Sequence, residues 1–314
     1  LRTGGATPQI DARFSWPGFF ALAGMWTGDG DVSSLVPLAS WAMLASNLLY
    51  LLVFALLLYN VRASWQTKWL AAALFLLFNW VGQDYFSPQG FTYLLYLIFI
   101  SILLTWFRPA ASSAGGSVAA EDRRWRLPTW LRGVGSAVPR PGWLSYPRRW
   151  WRALRITSRT APGDEPPLPA SRGMRTGLVL LLMAVVVATT ASHQLTPFVM
   201  LVACLGLVAV GRCTLRGLPL LIGVIAVAWV SYMGMIYWSG HGGELLSGVG
   251  DLLGNVTNSV GNRTEGANPV RGLVVNARLL LAGLLITLAA LGALRRRRRG
   301  LDDRVLIVLS IVPL

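Results

Sequence analysis

Between Leu48 and Tyr59 the chain reads LLYLLVFALLLY, with no charged side chain, and six further stretches are nearly as apolar. Such runs constrain a fold more than any motif does. In a bilayer every backbone N–H and C=O must be paired within the segment itself, and helices meet that demand. The apolar segments fall at 36–59, 69–82, 90–107, 177–191, 197–211, 217–238 and 273–294, and an eighth begins near 304. The expected fold is all-α, a polytopic integral membrane protein with about 7–8 transmembrane helices. Before them, FSWPGFFALAGMW (14–26) is too short to span and rich in aromatics, which predicts a helix lying in the interface. The first residue, Leu1, and the final apolar run VLIVLSIVPL suggest a fragment lacking its first and last elements.

Charge in the connections gives the expected orientation. Segments 60–68, 108–176, 212–216 and 295–304 hold 23 of the 28 basic residues, including RRRRR at 295–299. The alternate set, 1–35, 83–89, 192–196 and 239–272, holds only Arg2, Arg13, Arg263 and Arg271. Basic loops stay on the cytoplasmic side, so the first set is expected inside and the second outside. Residue 1 then lies outside, which implies one span upstream if the full chain starts in the cytoplasm. Arg outnumbers Lys 27 to 1, as in a GC-rich bacterial genome, and the expected location is a bacterial cytoplasmic (inner) membrane.

The chain divides into residues 1–107, with the outer loop, interfacial helix and first three spans, a basic insertion at 108–176, and residues 177–314, with four further spans and the outer loop 239–272. The insertion carries nine of the 17 prolines, which exclude a long helix. Within it RRWWRALRITSR spaces Arg148, Arg152, Arg155 and Arg159 along one face beside tryptophans, a pattern suited to anionic lipid headgroups. A net charge of +15 could suggest nucleic acid, but no folded reader accompanies it, so nucleic acid is not an expected partner. Cys204 and Cys213 form no metal-ligand spacing and read as buried free thiols.

Two polar turns interrupt the apolar pattern on the outer side: NWVGQDYFSPQGF (79–91) and TASHQLTPF (190–198). In each a hydroxyl residue precedes proline, Ser87-Pro88 and Thr196-Pro197, which is a helix-start signal. Two helix N-termini on one face suit an anion such as phosphate. Asp84 sits where a span of about 21 Å would end short of a core about 30 Å thick, and an ionisable group at such depth is a functional candidate. His193 and His241, Asp11 and Arg13, Glu244 and Asp251 collect on the same side, with Asn276 and Arg278 in the outer turns of the seventh span. Each has a plain alternative: Asp84 and Asp11 as loop acids, His193 bonded to a carbonyl, Arg278 snorkelling to headgroups.

The motifs WPGFFAL (16–22), NWVGQDYFSPQGF (79–91) and ASHQLTPF (191–198) resemble a group of actinobacterial polytopic membrane proteins that look like GT-C-type glycosyltransferases. The resemblance spans most of residues 10–290. It implies a polyprenyl-phosphate-linked sugar as donor, a cell-envelope acceptor and an extracytoplasmic site with an acid in the first outer loop. Only the tail of that loop is present, with Asp11. The resemblance implies Asp11 or Asp84 as the catalytic acid, Asp84 alternatively holding the acceptor or a divalent cation. The lipid phosphate would meet the helix ends at 88 and 197, His193 and Arg278. Gln83, Gln89 and Gln194 would bond sugar hydroxyls, and Tyr85 and Trp80 would offer flat faces to the ring. Competing readings are a polysaccharide polymerase or ligase acting on lipid-linked oligosaccharide, a transporter or flippase, and a structural scaffold.

Overall fold

The computed structural model describes residues 12–27, 35–61, 63–79, 86–109, 167–235, 237, 269–300 and 304–311. Its elements are helices: α1 (Ala12–Ser15), α2 (Gly18–Thr27), α3 (Leu35–Tyr59), α4 (Trp65–Asn79), α5 (Pro88–Trp106), α6 (Arg172–Ser192), α7 (Thr196–Ala209), α8 (Leu218–Tyr232), α9 (Pro269–Arg298) and α10 (Arg304–Ile311). Among the described residues no strand occurs, and α3, α5 and α6 are long and apolar enough to cross a membrane.

Helix ends depart from the apolar runs for local reasons. Ser64 starts α4 early: its Oγ accepts from Thr67 N at 3.2 Å, so Trp65–Lys68 join the helix. Even so, its 15 residues rise only about 22 Å. Ser171 caps α6 by accepting from Met174 N at 3.2 Å, which carries the helix five residues ahead of the apolar run. α7 stops at Ala209 because Gly211 takes φ 73°. Its N–H reaches Val208 O at 3.1 Å while Arg212 N reaches Leu207 O at 2.7 Å, the paired bonds of a left-handed helix terminus. α9 runs past its apolar stretch to take in Arg295–Arg298, which face the negative end of its dipole. The interfacial segment 14–26 is not one helix, because Pro17 separates α1 from α2.

α5 is the hub. It packs on α3, α6, α7 and α2, and α6 and α7 both pack on α8. Its Phe99, Ile100 and Leu103 meet Leu182 and Val186 of α6 and Met200 and Leu207 of α7 in one core. In the most apolar stretch of each, α5 is 56% buried, α6 28% and α3 11%. Leu52, Leu180, Leu220 and Leu280, on four different helices, remain exposed. An apolar exterior on that scale has no stable place in water and is what lipid covers. Both halves flanking the insertion share this core, since α5 precedes it and α6 follows it. Leu168 N bonds Thr105 O at 2.8 Å, returning the chain to the end of α5 that it left.

The helix ends sort into two groups. At one end meet the start of α5, the turn between α6 and α7, α2, and the end of α8. At the other lie Asn60, Arg108, the 210–217 turn and Arg296. Asn60 anchors that basic end: its Oδ1 accepts from Arg108 Nη2 at 3.0 Å, and its Nδ2 donates to Leu56 O and Thr105 Oγ1 at 2.9 Å. Arg108 is 5% exposed and also reaches Asn60 O.

Candidate functional site

The turn 193–195 and the start of α5 are separated by about a hundred residues, yet Thr92 Oγ1 and Thr196 Oγ1 lie 3.2 Å apart. The start of α5 and the 193–195 turn therefore build one patch, at the end of the bundle opposite Asn60 and Arg108. Local structure makes each turn. Ser87, in extended backbone, caps α5 by accepting from Gly90 N at 3.0 Å, with Pro88 at the first helical position, as its sequence implies. Tyr50 of α3, a buried residue, holds the same turn: its hydroxyl donates to Gly90 O at 2.8 Å.

The second turn differs from expectation. Thr196 is inside α7 rather than its cap, and Leu195 at the cap position makes no side-chain bond. His193 takes that role: its Nδ1 faces Leu195 N (3.4 Å), Thr196 N (3.3 Å) and Thr196 Oγ1 (2.9 Å). With two N–H groups aimed at it, Nδ1 must be the bare nitrogen, so Nε2 carries the proton and the Thr196 hydroxyl donates. Burial lowers the His193 pKa below the usual 6.5, and the ring is neutral at pH 7. The N–H groups of Phe198 and Val199, expected to point outward for an anion, instead bond Leu195 O at 3.0 and 3.2 Å. The terminus of α7 is closed by its own turn and by His193. What this turn offers a ligand is the imidazole Nε2–H and the Gln194 side chain.

A layer of hydroxyls lies beneath. Thr92, Thr189, Thr190 and Ser192 are all under 5% exposed. Thr92 donates to Pro88 O at 2.9 Å and Thr190 to Val186 O at 2.8 Å. The Thr189 hydroxyl, one helical turn before His193, has no hydrogen-bond partner among the described residues. A buried hydroxyl left unpaired costs about 1–3 kcal/mol, so its presence asks for a use. Sequence reading missed this layer, because a Thr in a helix is commonly satisfied by its own i−4 carbonyl.

α2 roofs the patch. Phe19 is buried against Phe86 (centroids 4.9 Å apart) and Phe91 (6.0 Å), while Leu22, Met25 and Trp26 are exposed. Trp16 meets Tyr237 edge-on at 5.4 Å, and Trp229 Nε1 donates to Ser15 O at 3.0 Å, which tie the segment to the end of α8. At Gly18 the helix touches α6 so closely that a Cβ would lie 2.6 Å from Ser192 Oγ.

Of the residues singled out by sequence, His193 and Gln194 stand at this patch, and exposed Gln89 lies in the first turn of α5. Asp11, Gln83, Asp84 and Tyr85 lie outside the described residues, as do Trp80, His241, Glu244, Asp251, the insertion from 110 to 166 and the side chain of Arg278. Phe86, two positions after Asp84, packs on Phe19 at the roof. Arg278 belongs to α9, in which Asn276 is exposed. Among the described residues no group of His, Cys, Asp and Glu could hold a metal ion, and both cysteines are buried free thiols. Comparison with protein-family models, with curated proteins and with solved structures gives no match to this chain.

Proposed function

We propose that the chain is a multi-pass inner-membrane glycosyltransferase of seven or eight spans, moving a sugar from a polyprenyl-phosphate donor to an extracytoplasmic acceptor. One observation carries this reading. The start of α5 and the turn 193–195, about a hundred residues apart in sequence, converge at the end of the bundle opposite Asn60 and Arg108, over buried hydroxyls and beneath a half-buried aromatic helix. Such a patch gives a lipid-linked polar substrate both things it needs. The exposed apolar side of α2 meets the hydrocarbon tail, while His193 Nε2–H, Gln194 and Gln89 present hydrogen bonds to the phosphate and sugar. A carboxylate, Asp84 or Asp11, would accept the proton of the acceptor hydroxyl as it attacks the anomeric carbon. The lipid phosphate departs with the bonding pair, stabilised by His193 and by Arg278, whose guanidinium can grip it bidentately.

The test separates cap from donor. His193→Asn keeps an acceptor near the N–H groups of 195 and 196 but lacks the distal Nε2–H. Binding of a short polyprenyl-phosphate analogue to purified protein should fall several-fold in His193→Asn and Arg278→Gln at unchanged thermal stability, and stay level in Arg263→Gln. Asp84→Asn should abolish product in a complementation assay with insertion intact. Normal product from Asp84→Asn and Asp11→Asn alike would reject the transferase reading. Orientation is checked with single cysteines in a Cys204→Ala/Cys213→Ala background. Gln89→Cys should react with an impermeant thiol reagent in intact cells, Arg298→Cys only after lysis, and the reverse pattern would overturn the proposed sidedness.

A further inference from the structure

A separate cavity of about 310 Å³ lies between α3, α5 and α10. That volume is at the small end of ligand sites, which run to about 300–1,000 Å³. Its wall on α5 is Tyr93, Tyr96, Ile100 and Leu104, and Arg108 follows just past the end of that helix. Steps of three and four residues keep the four helical positions on one face, and at 1.5 Å per residue that stripe is about 17 Å long. Leu57 of α3 and Asn60, just past its end, line the same slot, as do Val305 and Leu309 of α10 and Arg296 near the end of α9. α10 rests on α7 through Val308, which fills the space where Gly206 lacks a side chain, and it stands across the slot from α3.

The chemistry of the lining is graded. The slot is mainly aliphatic and aromatic, with the hydroxyls of Tyr93, Tyr96 and Ser310 along it, the last turned back to Leu306 O, and its charged groups are Arg108 and Arg296. Arg108 is clamped by Asn60, so its charge is fixed in place. Arg296, half-buried, lines the same slot and is the second of the arginines that run from 295 to 299. A long apolar slot closed at one end by two guanidinium groups is complementary to an amphiphile with one anionic head and a hydrocarbon chain. It is a poor fit for a helix, since a helix with side chains is about 10 Å across. One leaflet of a bilayer core is about 15 Å deep, so an acyl chain entering beside Arg108 would run its length within the stripe. By the charge rule the basic end faces the cytoplasm, whose leaflet is rich in anionic lipid.

We propose that this slot holds one acyl chain of an anionic phospholipid from the cytoplasmic leaflet, with its headgroup phosphate on Arg108 and Arg296. The lipid would fill the gap between α10 and α3 and fasten the carboxy-terminal helices to the α5 hub. The inference rests on the membrane-spanning reading above, but not on sugar transfer, so loss of either leaves the other standing.

The experiment is native mass spectrometry of the full chain released from nanodiscs of equimolar phosphatidylglycerol and phosphatidylcholine. The wild type should retain one phosphatidylglycerol, with a preference over phosphatidylcholine of about fivefold or more, as expected for charge-assisted contacts. Arg296→Gln should retain a lipid with that preference lost. Leu309→Trp, at a partly buried position where the larger ring would fill the slot, should lose the retained lipid of both kinds. Arg299→Gln, on the same basic run but not lining the slot, should match wild type. Equal retention of the two lipids by wild type, no retained lipid, or unchanged retention in Leu309→Trp would each overturn the proposal.

Discussion

Replacing Gly18 with alanine tests how tightly the roof is seated. A Cβ at Gly18 would lie 2.6 Å from Ser192 Oγ and 3.0 Å from both the carbonyl carbon and oxygen of Ala191. Carbon contacts relax at about 3.5–4.0 Å, so α2 must lift by roughly 0.5–1 Å. The Ser192 hydroxyl can rotate away, but the Ala191 peptide belongs to α6 and cannot. Overpacking of this kind costs about 1–3 kcal/mol. Gly24, on the same helix, has nothing within 4 Å of its Cβ position. Gly24→Ala should therefore gain the helix propensity that glycine lacks, about 0.5–1 kcal/mol. The two variants should move in opposite directions in a thermal unfolding assay in detergent, by about 2–4 °C for each kcal/mol. Gly18→Ala combined with Ser192→Ala should recover only part of the loss, because the Ala191 contact persists. A Gly18→Ala protein as stable as Gly24→Ala would refute the close seating of α2 on α6.

His193 should make stability depend on pH. Its folded pKa is lowered from 6.5 by burial, so its contribution is complete above pH 6.5 and is lost as pH falls from there to the lowered value. Melting temperature should drop over that window in wild type, and His193→Asn should flatten the drop. Asn60→Ala removes the Arg108 Nη2 acceptor inside the basic end, and should destabilise by about 1–3 kcal/mol in chemical unfolding, more than any exposed polar-to-Ala change. Thr189→Val keeps the shape while deleting a buried hydroxyl without a partner among the described residues, and should hold or raise stability by about 1 kcal/mol. If Thr189→Val instead melts earlier, that hydroxyl has a structural partner.

Much of the architecture is legible from sequence because bilayer solvation and helix geometry act locally. Apolar runs and the Ser87-Pro88 signal placed the described helices within about six residues; α4, α6 and α7 shift where Ser64, Ser171 and Gly211 set a boundary, α9 extends four residues at each end, and α8 ends at Tyr232, six residues short. Among the described residues, Arg108, Arg212 and Arg296 lie toward one end of the bundle and the turns at Ser87 and His193 at the other. Local rules were less sure at the second turn. Thr196-Pro197 carries the same start signal as Ser87-Pro88, yet His193, which no cap rule favours, takes the acceptor position because the chain reverses there.

What hydropathy could not rank is the helices themselves. α3 and α5 are similarly apolar, yet α5 is largely enclosed and α3 mostly bare. In water that difference would show as a polar face on the exposed helix. In lipid the outward and inward surfaces are both apolar, so the sequence carries little trace of which is which. Only the packed bundle decides it. The same holds for Tyr50 on Gly90, Asn60 on Arg108 and Thr92 on Thr196, pairs 40 to 104 residues apart. No spacing within a single helix announces them, because each exists only once two helices have come together.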